Sequence, residues 1–149
     1  MSAFHLPLRS PRETLGGYVI LPRLIDKVRL HAEGTLPPEY FPQLLGGEGT
    51  LDWRFLVFTG LDREVLRAAI LAAPDDATAL AWVERHATAH TDAEKRAWAE
   101  AIDAYRPDAE RAQRRAQRYL EVAARFDVGA INVFDLIDLD EGRIDRPTR

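Results

Sequence analysis

Apolar residues recur at spacings of three and four along most of the chain, and the interruptions fall at proline, glycine and capping residues. Leu21, Leu24, Ile25, Val28 and Ala32 share one face of a helix predicted from Pro22 to about Glu33. Proline suits the first turn because the amide it lacks would have no helical partner there. Gly34 ends that helix. Residues 34–50 hold three prolines and four glycines and read as a long irregular loop, a feature that is usually functional or mobile. Asp52 is expected to cap a short helix through Phe58. Asp62 caps the next, whose stripe is Val65, Leu66, Ala69, Ile70 and Ala73, because a side-chain oxygen there accepts from otherwise orphaned amides.

Pro74 stops that helix, and Asp75 or Asp76 opens another with Leu80, Val83 and Ala87 inward. Thr91 and Glu94 have the spacing of a capping box. The helix they open carries Ala97, Trp98, Ala101, Ile102 and Tyr105 and stops before Pro107. Asp108 caps the longest predicted helix, to about Phe126. Its apolar positions 109, 112, 116, 119, 123 and 126 form a seam of the coiled-coil kind. A last short helix or strand is expected over 131–139. Residues 1–15 read as an extended arm and residues 142–149 as a loose polar tail. The fold class is therefore all-α: a single domain over residues 1–149, of about six helices, with Trp53, Trp82 and Trp98 in or beside its core.

Composition narrows the function classes. The 149 residues are 46% hydrophobic and 30% charged, with a net charge of −4, ordinary values for a globular domain. The acidic balance argues against a nucleic-acid or anionic-membrane binder. With no cysteine the chain has no disulfide, thiol nucleophile or thiolate metal site, which suits a reducing cytoplasm. The N-terminus lacks a basic region followed by a long apolar one, so no signal peptide is expected. No apolar run is long enough to span a bilayer.

Candidate chemistry concentrates between Arg9 and His31. Arg23, Asp26 and Lys27 lie within one helical turn, and Arg12 precedes the Gly16-Gly17 pair. In the functional reading Arg12, Arg23 and Lys27 hold a phosphate or carboxylate and Asp26 orients them. The Gly16 and Gly17 amides would add geometry, and Tyr18 or Trp53 a wall. The plainer readings are a solvated face with weak helical ion pairs, or charges tied to Asp52 or Asp62 of neighbouring helices. His31 is read as a hydrogen-bonded core residue. His86 and His90 have the spacing of a helical metal pair, but the glutamate of the metalloprotease signature is absent, so no metal or cofactor is expected. Asp135, Asp138, Asp140 and Glu141 fail the calcium-loop pattern and are read as offsetting the arginines of the long helix. Arg111, Arg114, Arg115 and Arg118 make one side of that helix basic. A solvated face or an intersubunit strip is the simplest account, since no aromatic platform for bases adjoins it.

The segments Ser10-Pro11-Arg12, Leu15-Gly16-Gly17-Tyr18, Leu21-Pro22-Arg23 and Ile25-Asp26-Lys27, with Arg29 after them, form a distinctive block. A second block is Leu51-Asp52 and Phe55 through Phe58-Thr59-Gly60, and Phe134-Asp135 to Asp140-Glu141-Gly142-Arg143 follows more loosely. Together they resemble the bacterial domain-of-unknown-function (DUF) family 5069. The resemblance implies a soluble bacterial protein of similar length with one cytoplasmic domain, singles out the region from Arg12 to Arg29, and brings no activity with it.

Two functions from different classes follow. The first is a small-anion binding module without catalysis of its own. The second is an interaction protein, a homodimer through helix 108–126. An enzyme would need a base, and Asp26, His31 and Asp52 are the nearby candidates. None has a partner visible in the sequence, so no catalytic residue is assigned.

Overall fold

A computed structural model describes residues 7–148. Its architecture is set by the helix Leu21–Ala32 (α1), which buries eight of its twelve residues, including Arg23 and Lys27. A helix surrounded on most sides needs neighbours that are apolar or oppositely charged, and the chain supplies both. Before α1, Thr14–Leu15 (β1) and Tyr18–Val19 (β2) pair antiparallel with Thr14 opposite Val19. Gly16 and Gly17 form the connection with φ of 59° and 84°, the conformation a two-residue hairpin turn requires. Pro11 and Leu8 of the expected arm are buried, so the described part of the arm is packed. Residues 1–6 of it lie outside the described residues.

The predicted helices appear as Leu51–Thr59 (α2), Arg63–Ala72 (α3), Asp76–His86 (α4) and Asp92–Ala104 (α5). Asp62 caps α3 through the Glu64 and Val65 amides, Asp75 caps α4, and both halves of the Thr91–Glu94 box are made. At α2 the expected cap is corrected: Thr50 accepts from the Trp53 amide, and Asp52, one residue inside the helix, is fully buried. The long loop is corrected in part. Residues Pro38–Gln43 form a 3-10 helix that buries Tyr40, with Leu44 and Leu45 buried behind it.

The longest predicted helix divides at Tyr119, into Ala109–Arg118 (α6) and Leu120–Ala123 (α7). No residue of α6 is buried; its only apolar residues are alanines, so no continuous stripe holds it to α7. Val122 instead turns into a second small core with Val128, Ile131, Leu136 and Leu139. The segment 131–139 resolves as a helix, Val133–Asp140 (α8), capped by Asn132. With these two differences the count is eight α-helices rather than six among the described residues. The tail is tied at two points. Arg143 bonds Asp138 at 3.0 Å, and the Thr148 amide and hydroxyl both donate to Asp135 at 2.7 Å. Among the described residues no helix is long and apolar enough to cross a membrane.

Gly60 closes α2 in the left-handed region at φ 71°, its amide donating to the Leu56 carbonyl at 2.8 Å. Gly60→Ala places a Cβ 3.2 Å from the Thr88 hydroxyl and forces an L side chain into that region. The expected loss is about 1–2 kcal/mol, read as a lower urea midpoint with unchanged slope.

Candidate functional site

The cations of α1 each meet a carboxylate from a distant part of the chain. Arg23 forms a two-pronged pair with Glu141, at 2.8 and 2.6 Å, and both side chains are at most 3% exposed. Tyr40 donates to the same carboxylate at 2.9 Å, and Arg143 approaches it at 2.6 Å. Lys27 Nζ donates to Asp52 Oδ1 at 2.9 Å, while the Leu45 amide donates to Oδ2 at 2.8 Å. Charges of one helix thus tie others in place, as one of the plainer sequence readings held. Arg9 and Arg29 share Asp76, and Arg9 also grips Asp26.

The expected site residues therefore fall into separate places. Arg12 binds Asp135 at 2.8 Å and Asp103 at 3.2 Å, with its guanidinium over the Phe134 ring. Gly16 and Gly17 face Leu80, Glu84 and Lys95. Tyr18 is buried beneath the Lys95 ammonium, 4.2 Å from its ring centre. Asp26 is engaged by Arg9. Trp53 sits in the first turn of α2, half-buried. Of the eight, only Arg23 and Lys27 come together around a common space. Two other readings are corrected. His31 is exposed, edge-on to Phe41. Asp135, Asp138 and Glu141 serve Arg12, Arg143 and Arg23 rather than the long helix. His86 stacks on Trp82 and His90 on Phe58, so the two imidazoles turn to different partners.

The common space is a cavity of about 320 Å³ between α1, α2, α6 and α8. Arg23, Lys27 and Asp52 line it, with Ile20, Leu51, Val133, Leu136 and Ile137 as apolar surface and Tyr105 and Tyr119 as aromatic surface. Arg54, Arg111, Arg114, Arg115 and Arg118 also line it, so seven lining side chains are cationic and one is acidic. Four of the seven have carboxylate partners: Arg23, Lys27, Arg111 with Asp108, and Arg114 with Glu110. The other three make no close ion pair among the described residues, although the Arg118 charge reaches Asp140. Arg54 lies over Tyr105, Arg118 over Tyr119, and Arg115 donates to the Val128 and Ile131 carbonyls at 3.0 and 2.9 Å. A chain of net charge −4 has thus gathered an uncompensated positive wall at one concave place. Such a wall attracts anions more strongly as water is excluded from it.

Among the described residues two non-glycine residues have positive φ, Ile20 at 75° and Leu45 at 48°. Ile20 lines the cavity, and Leu45 supplies the amide that fixes Asp52. Positive φ is a true outlier for a β-branched residue, and such outliers gather where structure is held for a task. The four arginines of α6 were visible in the sequence as a basic side. Their convergence with Arg54 and Lys27 was not, because nothing local ties α6 to α2.

The family described as Domain of unknown function (DUF5069) matches residues 5–143, nearly the whole chain. The chain belongs to this family. Comparison with curated proteins gave no match. For this DUF5069 chain, the function must be argued from the cavity itself.

Electrostatics at the two buried pairs of α1 is asymmetric. Burial pushes the Glu141 carboxyl up, but the Arg23 hydrogen bonds and charge, the Arg143 charge and the Tyr40 hydroxyl outweigh it, and the net direction is down. For Lys27 burial dominates: the amine is held below its ordinary value, although the Asp52 charge opposes this. A depressed carboxyl contributes stability that is present above its unfolded value, about 4.3 for glutamate, and is lost as pH falls through its folded value. Glu141→Gln is therefore expected to flatten the acid limb of the stability profile. It should also cost about 3–5 kcal/mol at neutral pH by leaving Arg23 short of a partner. Urea denaturation followed against pH measures both effects.

Proposed function

We propose that the chain is a soluble binding module for a small anion bearing phosphate or carboxylate, without catalysis of its own. One observation supports it above the others: Arg54, Arg115 and Arg118, which make no close ion pair among the described residues, line one cavity with Lys27. Guanidinium groups left over after internal pairing are the usual means of holding such anions. The apolar and aromatic surface beside them accommodates the organic part of the ligand. The family resemblance and a sequence without cysteine support a bacterial, cytoplasmic setting.

A homodimer through residues 108–126 is the second reading. Its support is that α6 buries no residue and that Leu120, just beyond it, is 70% exposed. Light scattering distinguishes a dimer from a monomer directly.

The anion reading is tested by a thermal-shift series with inorganic phosphate, organic monophosphates and carboxylates. A ligand at about a hundred times its dissociation constant adds about 2.7 kcal/mol, which for a domain of this size raises Tm by roughly 5–11 °C. The Arg54→Gln/Arg118→Gln double variant is expected to keep its own Tm within a few degrees and lose the shift, since neither arginine makes a close ion pair among the described residues. A wild type unmoved by every anion would reject the reading in favour of the homodimer.

A further inference from the structure

Six of the seven cations lining the cavity are guanidinium groups, and Lys27 is the amine. A guanidinium holds an anion but stays protonated, whereas a primary amine that loses its proton attacks carbonyl carbon. The surroundings of Lys27 fit that second chemistry. Its side chain is 3% exposed, yet it lines the cavity, and its three donors have one acceptor among the described residues, Asp52 Oδ1. The other oxygen of Asp52 is occupied by the Leu45 amide, which fixes the carboxylate beside the amine. Burial and the nearby Arg23 charge favour the neutral amine. Ile20, Leu136 and Ile137 provide apolar surface for a carbon skeleton next to it.

We propose that Lys27 captures a carbonyl compound carrying a phosphate or carboxylate group, forming a Schiff base on the cavity floor. This rests on the anion-binding reading, since the arginine wall is what holds the charged end of the ligand. Asp52 first accepts a proton from the ammonium. The amine lone pair then attacks the carbonyl carbon, and the carbonyl π pair moves to oxygen, which takes the proton from Asp52. The nitrogen of the resulting carbinolamine returns a proton to Asp52, and Asp52 delivers it to the hydroxyl, which leaves as water. The product is the protonated imine, with Asp52 again a carboxylate. The ion pair that ties α1 to α2 thereby serves as an amine and its proton acceptor.

The sequence contains one other lysine, Lys95, which lies away from the cavity and donates to the Gly16 carbonyl at 2.8 Å above the Tyr18 ring. It is an internal control. The full-length protein is incubated near neutral pH with pyridoxal 5′-phosphate, glyoxylate or pyruvate in the presence of sodium cyanoborohydride, which reduces any imine to a stable amine. Intact mass and peptide mapping then locate the adduct. The expected result is modification of Lys27 at least about tenfold faster than of Lys95, slowed by inorganic phosphate. Lys27→Arg, which retains the charge opposite Asp52, should lose the adduct. No adduct on Lys27 beside a retained phosphate shift overturns the capture and leaves the anion site standing. Neither adduct nor shift overturns both. An adduct on Lys27 that phosphate does not slow shows a reactive amine but overturns the capture of an anion-bearing carbonyl compound together with the anion reading.

Discussion

Arg23 and Glu141 meet in the interior with almost no solvent on either side chain, and the paths of three distant segments depend on that meeting. The first helix brings the guanidinium, the end of the last helix brings the carboxylate, and the 3-10 segment brings the Tyr40 hydroxyl that completes it. A buried pair of this kind is a weak source of net stability, because desolvating both ions offsets most of their attraction. Its effect is on uniqueness. An alternative packing that separates the partners must bury an unmatched charge, which is far more costly than losing the pair together. The arm obeys the same constraint: the Ser10 hydroxyl donates to Asp138 and the Arg9 carbonyl accepts from Arg23.

Local chemistry was legible in the sequence wherever one residue acts on its own helix. The caps at Asp62, Asp75, Thr91 and Asp108 and the Gly16-Gly17 turn each need only neighbours within a few residues. Asp52 marks the limit of that logic. As an acid at the start of a helix it reads as a cap, yet Thr50 fills that role and Asp52 turns inward to Lys27. The acidic cluster near the C-terminus misled in the same way: Asp135 and Glu141 pair with Arg12 and Arg23, more than a hundred residues away in sequence. Residue spacing encodes helix faces, not which face meets which. The division at Tyr119 is a third case, where a regular apolar spacing built mostly of alanine carried too little surface to hold one helix together.

The candidate site was half legible for a related reason. Arg23 and Lys27 could be singled out because they sit one turn apart on a helix with an apolar face, but their burial could not be read from that spacing. What makes a site of them is the supply of positive charge from α2 and α6, whose carboxylate partners run out before their arginines do. Pairing within the chain is therefore the quantity that separates structural from available charge. Arg12, Arg23 and Arg114 are satisfied internally, whereas Arg54, Arg115 and Arg118 rest on rings and carbonyls. Stacking and carbonyl contacts position a guanidinium without neutralising it.

Backbone strain falls at the same place. Ile20 and Leu45 hold positive φ, and each is attached to the cavity floor, one as lining and the other through its amide on Asp52. A buried lysine–aspartate pair that served only to join two helices would need neither conformation, since the pair could form wherever the two side chains reach. Holding one oxygen of Asp52 by a fixed amide does something additional: it sets the direction from which the carboxylate approaches Nζ. A residue placed in a costly conformation to aim a carboxylate, beside an amine with donors to spare, is an arrangement whose structural benefit is small and whose chemical benefit is specific.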